Sequence, residues 1–167
     1  MVLYHGSNQI LETPRLLSGN RLLDFGSGFY LTTSREHAAK WARIIQRRRA
    51  NERAVINKYE LEEERIKSLA VLKFESASPE WLDFVVTNRT GTSGQKVYDI
   101  VVGPVVDDTT LFVINDYISN VYTKEEAIRR LLQQNLTNQY AILSEVAISL
   151  LKFIGVEKIW KKYRHEL

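Results

Sequence analysis

Short apolar blocks separated by polar punctuation set the pattern of this chain. Val2-Leu3-Tyr4-His5 is followed by the turn cluster Gly6-Ser7-Asn8, which predicts a first strand. Residues 9–27 show no period and are broken by Pro14, Gly19, Asn20, Gly26 and Ser27, so they read as irregular. Gly28-Phe29-Tyr30-Leu31-Thr32-Thr33 is rich in aromatic and β-branched residues and predicts a second strand. Ser34 then suits an N-cap. In the helix after it, Ala38, Trp41, Ala42 and Ile45 recur at helical spacing and form the expected apolar face.

Further along, residues 54–61 predict a strand ended by Glu62-Glu63-Glu64, and residues 68–74 an extended segment. Ser78-Pro79 opens a helix whose apolar face is Trp81, Phe84 and Val85, and residues 90–94 form a loop. Residues 98–102 read as a buried strand closed by Gly103-Pro104. Two helices follow, the second opened by the capping box Thr123…Glu126 and carrying Ala127, Ile128, Leu131 and Leu132. Residues 139–143 predict a late strand. Ser144 caps an expected final helix bearing Ala147, Ile148, Leu151 and Ile154, and residues 156–160 a closing strand. Strands and helices mix without regular βαβ alternation, so the expected class is α+β.

Composition adds bounds rather than chemistry. The 167 residues fit one domain over 1–167, with 44% hydrophobic and 26% charged residues, as in ordinary globular chains. The absence of cysteine excludes disulfides, thiolate nucleophiles and cysteine-held zinc. No apolar run approaches the ~20 residues needed to span a bilayer, and Met1–His5 does not look like a signal peptide, so a cytoplasmic protein with no membrane partner is expected. The net charge of +3 is mild. The runs Arg47-Arg48-Arg49 and Lys161-Lys162-Tyr163-Arg164 read first as solvated helix end and tail, with contact to nucleic acid or an acidic partner as the other reading.

Three segments carry the candidate chemistry: Leu3-Tyr4-His5-Gly6-Ser7, Phe25-Gly26-Ser27-Gly28-Phe29-Tyr30-Leu31-Thr32-Thr33, and Asn138-Gln139-Tyr140-Ala141-Ile142. Taken singly, each reads as a loop or strand start. Their order resembles the His-Tyr-Glu class of the ADP-ribosyltransferase superfamily, which includes diphtheria toxin and the poly(ADP-ribose) polymerases. In that class a first strand ends in His-Gly, a second carries Gly-x-Tyr with another aromatic on the next helix, and a late strand carries the glutamate. Nearly the full chain also resembles a bacterial family of small proteins assigned to that superfamily. The shared features there are residues 98–104, Asp107-Asp108 and a glutamine at the third motif.

The resemblance implies a split β-sheet core with flanking helices, and NAD as substrate. It implies that Tyr30 and Trp41 sandwich the nicotinamide ring, which is cationic until the bond breaks. Gly6 would let the backbone meet the carboxamide, and His5 would hydrogen-bond a ribose hydroxyl. Ser7, Gly28 and Thr32 complete the cofactor pocket, and His5, Tyr30 and Gln139 form the catalytic set. Two positions depart from the polymerases: Ala38 stands where a serine holds the carboxamide, and Gln139 replaces the glutamate. Glutamine keeps an acceptor oxygen but has no charge and cannot act as a base. Catalysis would then be slower, limited to mono-ADP-ribosylation, dependent on another acid such as Asp24 or Glu145, or absent. Arg15 or Arg21 are candidates for the phosphates. Asp99, Asp107 and Asp108 read as a turn and helix cap rather than a Mg²⁺ site, so no metal is expected. The implied activity is mono-ADP-ribosylation of an unidentified protein or nucleic acid by a toxin or defence effector, with an inhibitor protein as a further possible partner. A non-catalytic NAD or ADP-ribose binding module and an NAD glycohydrolase are the alternatives.

Overall fold

Caps written into the sequence start most of the helices. The Ser34 side chain accepts the His37 N–H at the head of α1 (Arg35–Arg48). Ser78 accepts from the Trp81 N–H before α3 (Pro79–Thr90), which ends on Gly91 in the left-handed conformation. Asp107 accepts from the Thr110 N–H before α4 (Asp108–Ile118), and Thr123 from the Glu126 N–H before α5 (Lys124–Leu132). In this computed structural model, residues 1–16, 22–50, 53–92, 97–134 and 136–159 are described. Gly19, Asn20, Arg21, Ser93, Gly94, Trp160 and the basic C-terminal run lie outside them.

The strands are β1 (Val2–Ser7), β2 (Phe29–Thr32), β3 (Val55–Leu61), β4 (Val71–Lys73), β5 (Ile100–Pro104), β6 (Asn138–Ile142) and β7 (Leu151–Lys158). Two short helices, α2 (Glu63–Ile66) and α6 (Glu145–Ile148), complete the described elements. The seven strands form one open mixed sheet in the order β4-β5-β6-β2-β1-β3-β7, with β4 and β5 parallel. The class is therefore α+β.

Side chains alternate across the sheet and sort into two apolar layers. One face buries Leu3, Phe29, Leu31, Tyr59, Leu61, Ile100, Val102 and Ile142 against Ala147 and Ile148 of α6. The other buries Val101 and Ala141 under Trp81, Leu82 and Val85 of α3, Val113 and Ile114 of α4, and Ala127 and Leu131 of α5. On that second face, α1 sets Ala38 and Ala39 against Ile56 and Tyr4.

The sheet is pinched at its centre. β1 pairs with β3 from Val2↔Glu60 to Ser7↔Val55, and β2 pairs with β6 from Phe29↔Ile142 to Thr32↔Gln139. Between β1 and β2 the register is the single pair Tyr4↔Thr32.

Four expectations need correction. The final helix stops at Ile148, and Leu151 and Ile154 belong to β7. There, backbone pairing with β3 from Leu61↔Leu151 to Val55↔Lys158 outweighs a periodicity that fits a helix equally well. Gly155, at φ 149°, sits beside the irregularity at Lys58/Tyr59 and suits a strand better than a helix interior. Gly103 and Pro104 are the last two residues of β5, paired with Gln139 and Asn138, rather than a turn beyond it. Gly6 and Ser7 likewise extend β1 instead of turning the chain. Finally, α1 buries Ala38, Ala39, Ala42 and Gln46, while Trp41 is 45% exposed. At Ala38 and Ala42 only small residues fit, because there the helix backbone lies directly on Gly6 of β1.

Candidate functional site

Gln139 opens the site from the middle of the sheet. On β6 it faces Thr32 of β2 on one side and Gly103 of β5 on the other. Gly103 leaves room that Phe25 and Phe74 fill: a Cβ there would lie 3.2 Å from the Phe25 ring and 3.1 Å from Phe74 Cβ. The Gln139 side chain is 6% exposed, and its Nε2 has no hydrogen-bond partner. A buried, unpartnered amide costs about 1–3 kcal/mol.

Tyr30 lies on the same face as Thr32 and Gln139, and its hydroxyl staples the turn before β2. It donates to the Gly26 carbonyl at 2.6 Å and accepts from the Phe25 N–H at 3.0 Å. Gly26 makes this turn possible: it sits at φ 95°, and its N–H reaches the Leu23 carbonyl. Burial drives the Tyr30 phenol far above its ordinary range, and the nearby Asp24 charge adds to this, so the hydroxyl stays protonated and able to donate.

The same turn carries Asp24. Its carboxylate Oδ1 accepts from Arg89 Nε at 2.6 Å, and Arg89 Nη2, from the last turn of α3, lies equally close to the same oxygen. The Asp24 side chain is 13% exposed. Burial raises its pKa, against the opposing pull of the Arg89 charge and of hydrogen bonding from Arg89 and Gln139. The Gln139 amide thus lies against the Asp24 carboxyl without closing a well-formed bond to it. Tyr30, Asp24, Arg89 and Gln139 form one polar cluster. Of these, Asp24 was named from the sequence only as a substitute acid, and Arg89 was missed. Nothing in the sequence marks Arg89, a late helical arginine like many others.

His5 occupies the pinch. Its Nδ1 bonds the Tyr30 carbonyl at 2.6 Å, and its ring stacks on Phe29 with centroids 4.3 Å apart. Alternation puts the ring on the Leu3 and Phe29 face, opposite the Tyr30 and Gln139 side chains. Burial lowers its pKa, more than the Tyr30 bond raises it. The ring is therefore neutral near pH 7, with Nδ1–H donated and Nε2 carrying a lone pair.

The remaining candidates divide. Thr32 is buried, accepts from the Ser34 N–H and donates to the Asn138 carbonyl, tying β2 to the start of β6. Ser7 is buried, and its hydroxyl accepts from the Gln9 N–H. At Gly6 a Cβ would collide with the Ala38 carbonyl and lie 2.8 Å from the Ala42 nitrogen, so close helix–strand packing demands glycine there. At Gly28 a Cβ would lie 2.5 Å from the Ile142 carbonyl oxygen. Trp41 stands at the solvent edge of α1 with the Arg48 guanidinium 5.7 Å from its ring centre. Ala38 is buried against β1.

Glu145 is exposed at the head of α6, which packs on the opposite face of the sheet from Gln139. Arg15 is exposed. Asp107 caps α4, and Asp99 accepts the Ala70 N–H at 2.9 Å, so both are engaged in local structure. Among the described residues no group of three or more metal-ligating side chains gathers, and no helix is long and apolar enough to cross a membrane.

Fold and site together define an α+β protein with a pinched mixed sheet and a buried polar cluster beside the pinch. The chain belongs to the DUF3990 family, described as a protein of unknown function, whose model matches residues 1–153. No curated protein and no solved structure matches it.

Proposed function

We propose that this protein is a mono-ADP-ribosyltransferase that uses NAD as substrate, built on an ADP-ribosyltransferase-like split sheet. The observation that carries the reading is the meeting of the three motifs on adjacent strands. Gln139 and Tyr30 share one face of β6 and β2, and His5 of β1 bonds the Tyr30 carbonyl where the sheet is pinched.

In this reading the pyridine dinucleotide enters at the pinch. His5, whose ring lies on the opposite face from Gln139, fixes the Tyr30 carbonyl at the pinch, and Tyr30 and Trp41 bound the nicotinamide ring. Gln139 hydrogen-bonds the nicotinamide ribose. Holding the sugar and the ring fixed favours departure of neutral nicotinamide and stabilises the oxocarbenium-like centre left behind. The acceptor is a protein or nucleic acid, and an inhibitor protein would bind over the same cleft. A second reading, a non-catalytic NAD or ADP-ribose module, draws on the uncharged Gln139 and on Ala38.

Incubation with NAD, following nicotinamide release and label transfer to macromolecules, tests the proposal. Release with transfer supports the transferase, and release without transfer a glycohydrolase. Binding without release supports the module. Trp41→Ala is expected to weaken NAD binding by about 1–3 kcal/mol, the scale of stacking on an aromatic, as read by calorimetry on the folded variant.

A further inference from the structure

We infer that Asp24 supplies the carboxylate that position 139 lacks, acting as the base that takes the acceptor's proton. The inference rests on the proposed NAD chemistry. Two independent observations meet here. Asp24 is a largely buried carboxylate held at 2.6 Å by Arg89 on a turn stapled by the Tyr30 hydroxyl. Beside it, the Gln139 amide is more than nine-tenths buried with Nε2 unpartnered.

A carboxylate with one firm partner keeps lone pairs free for a ligand. An amide with a free N–H is a donor awaiting an acceptor, and a ribose hydroxyl oxygen offers one. The two side chains divide the work that one glutamate does elsewhere: Gln139 holds the sugar and Asp24 brings the charge. Gly26, the Tyr30 hydroxyl and Arg89 together set where the carboxylate points.

The step balances. The bond between ribose C1′ and the nicotinamide nitrogen breaks, and its electron pair leaves with the ring, which becomes neutral. A lone pair on the acceptor hydroxyl oxygen forms the new C1′–O bond. The acceptor's proton passes to the Asp24 carboxylate and from there to solvent. Asp24 must be ionised to accept it. The groups facing it are Arg89 from α3, the Tyr30 hydroxyl from β2 and Gln139 from β6. Burial raises its pKa, so the acid limb of activity lies above the ordinary aspartate range.

The test measures nicotinamide release against pH, with NAD binding by calorimetry, for the parent protein and four variants. Asp24→Asn is expected to lower kcat roughly 10²–10³-fold with little change in KM and to abolish the acid limb. Arg89→Gln loosens the same turn but keeps the carboxylate, and its acid limb should move to higher pH. Gln139→Glu in the Asp24→Asn background should recover activity, because the charge returns from the adjacent strand. Gln139→Glu alone juxtaposes two carboxylates and should move the acid limb upward. If the parent binds and cleaves NAD but Asp24→Asn retains parental kcat or cleaves faster, Asp24 is a closing latch and the inference falls alone. An equal loss in Arg89→Gln and Asp24→Asn without rescue by the double variant also overturns it, since the turn's shape would then be what matters. A parent that neither binds nor cleaves NAD overturns the proposed function and this inference with it.

Discussion

The two faces of the sheet at β2 and β6 are built from alternate residues of the same strands, yet they follow different rules. On one face Phe29, Leu31, Ile142 and Ile100 pack together, His5 stacks on Phe29, and the buried amide of Asn57 is paired with the Leu11 N–H and the Gln9 carbonyl. On the other, Thr32, Gln139, Asp24 and Arg89 intrude between Ala141 and the helices, and one buried amide is left unpartnered. The first face maximises burial of apolar area, the main source of stability. The second gives up stability at a defined spot, as expected where side chains are kept for chemistry rather than packing.

This contrast can be broken by substitution. Leu31→Ala, on the apolar face, should cost about 2–5 kcal/mol and lower the urea midpoint accordingly. Unchanged stability there would mean the face is not the closed core described. Arg89→Met should cost about 1–3 kcal/mol, because Asp24 would be left largely buried without its counter-charge. The loss should shrink at low pH as the carboxyl protonates, and a pH-independent loss would point to packing instead. Gln139→Leu, by contrast, should leave stability within about 1 kcal/mol or raise it, since it removes an unsatisfied buried amide. A large loss of stability in this variant would show that the amide is satisfied after all.

The smallest effect concerns pH. His5 has a pKa below its ordinary 6.5 in the folded protein, mainly through burial. The unfolded chain therefore binds more protons as pH falls through 6.5. Stability supplied by neutral His5 is complete above that value and is lost progressively below it, down to the folded pKa. His37 is shifted the same way by burial and by Lys40. Asp24, with its pKa raised, acts in the opposite sense at lower pH, where protonation favours the folded state. The urea midpoint should fall between pH 7 and 5, and His5→Gln should flatten part of that slope. An unchanged slope in the variant would assign the titration to His37.

Local signals were enough to write most of the element list. Ser34, Ser78, Asp107, Thr123 and Ser144 cap the helices they precede, because capping depends on a side chain and the N–H two or three residues on. Strands β2, β3 and β6 follow from runs of apolar and β-branched residues. Where two periods fit the same residues, as from Ala147 to Ile154, composition did not discriminate; pairing with β3 did.

The sequence by itself determined the α+β class, the capped helices and the three motif segments, since these depend on neighbours along the chain. The tertiary structure alone decided the rest. It put Gly6 under α1 and left Trp41 at the edge, because only small residues fit where a helix backbone touches a strand. It set His5 on the face opposite Gln139, a matter of strand register that no single strand records. It also joined Asp24 to Arg89 and Gln139 across three elements distant in sequence, a contact that exists only once α3 packs on the sheet and the Tyr30 hydroxyl folds the turn beneath it.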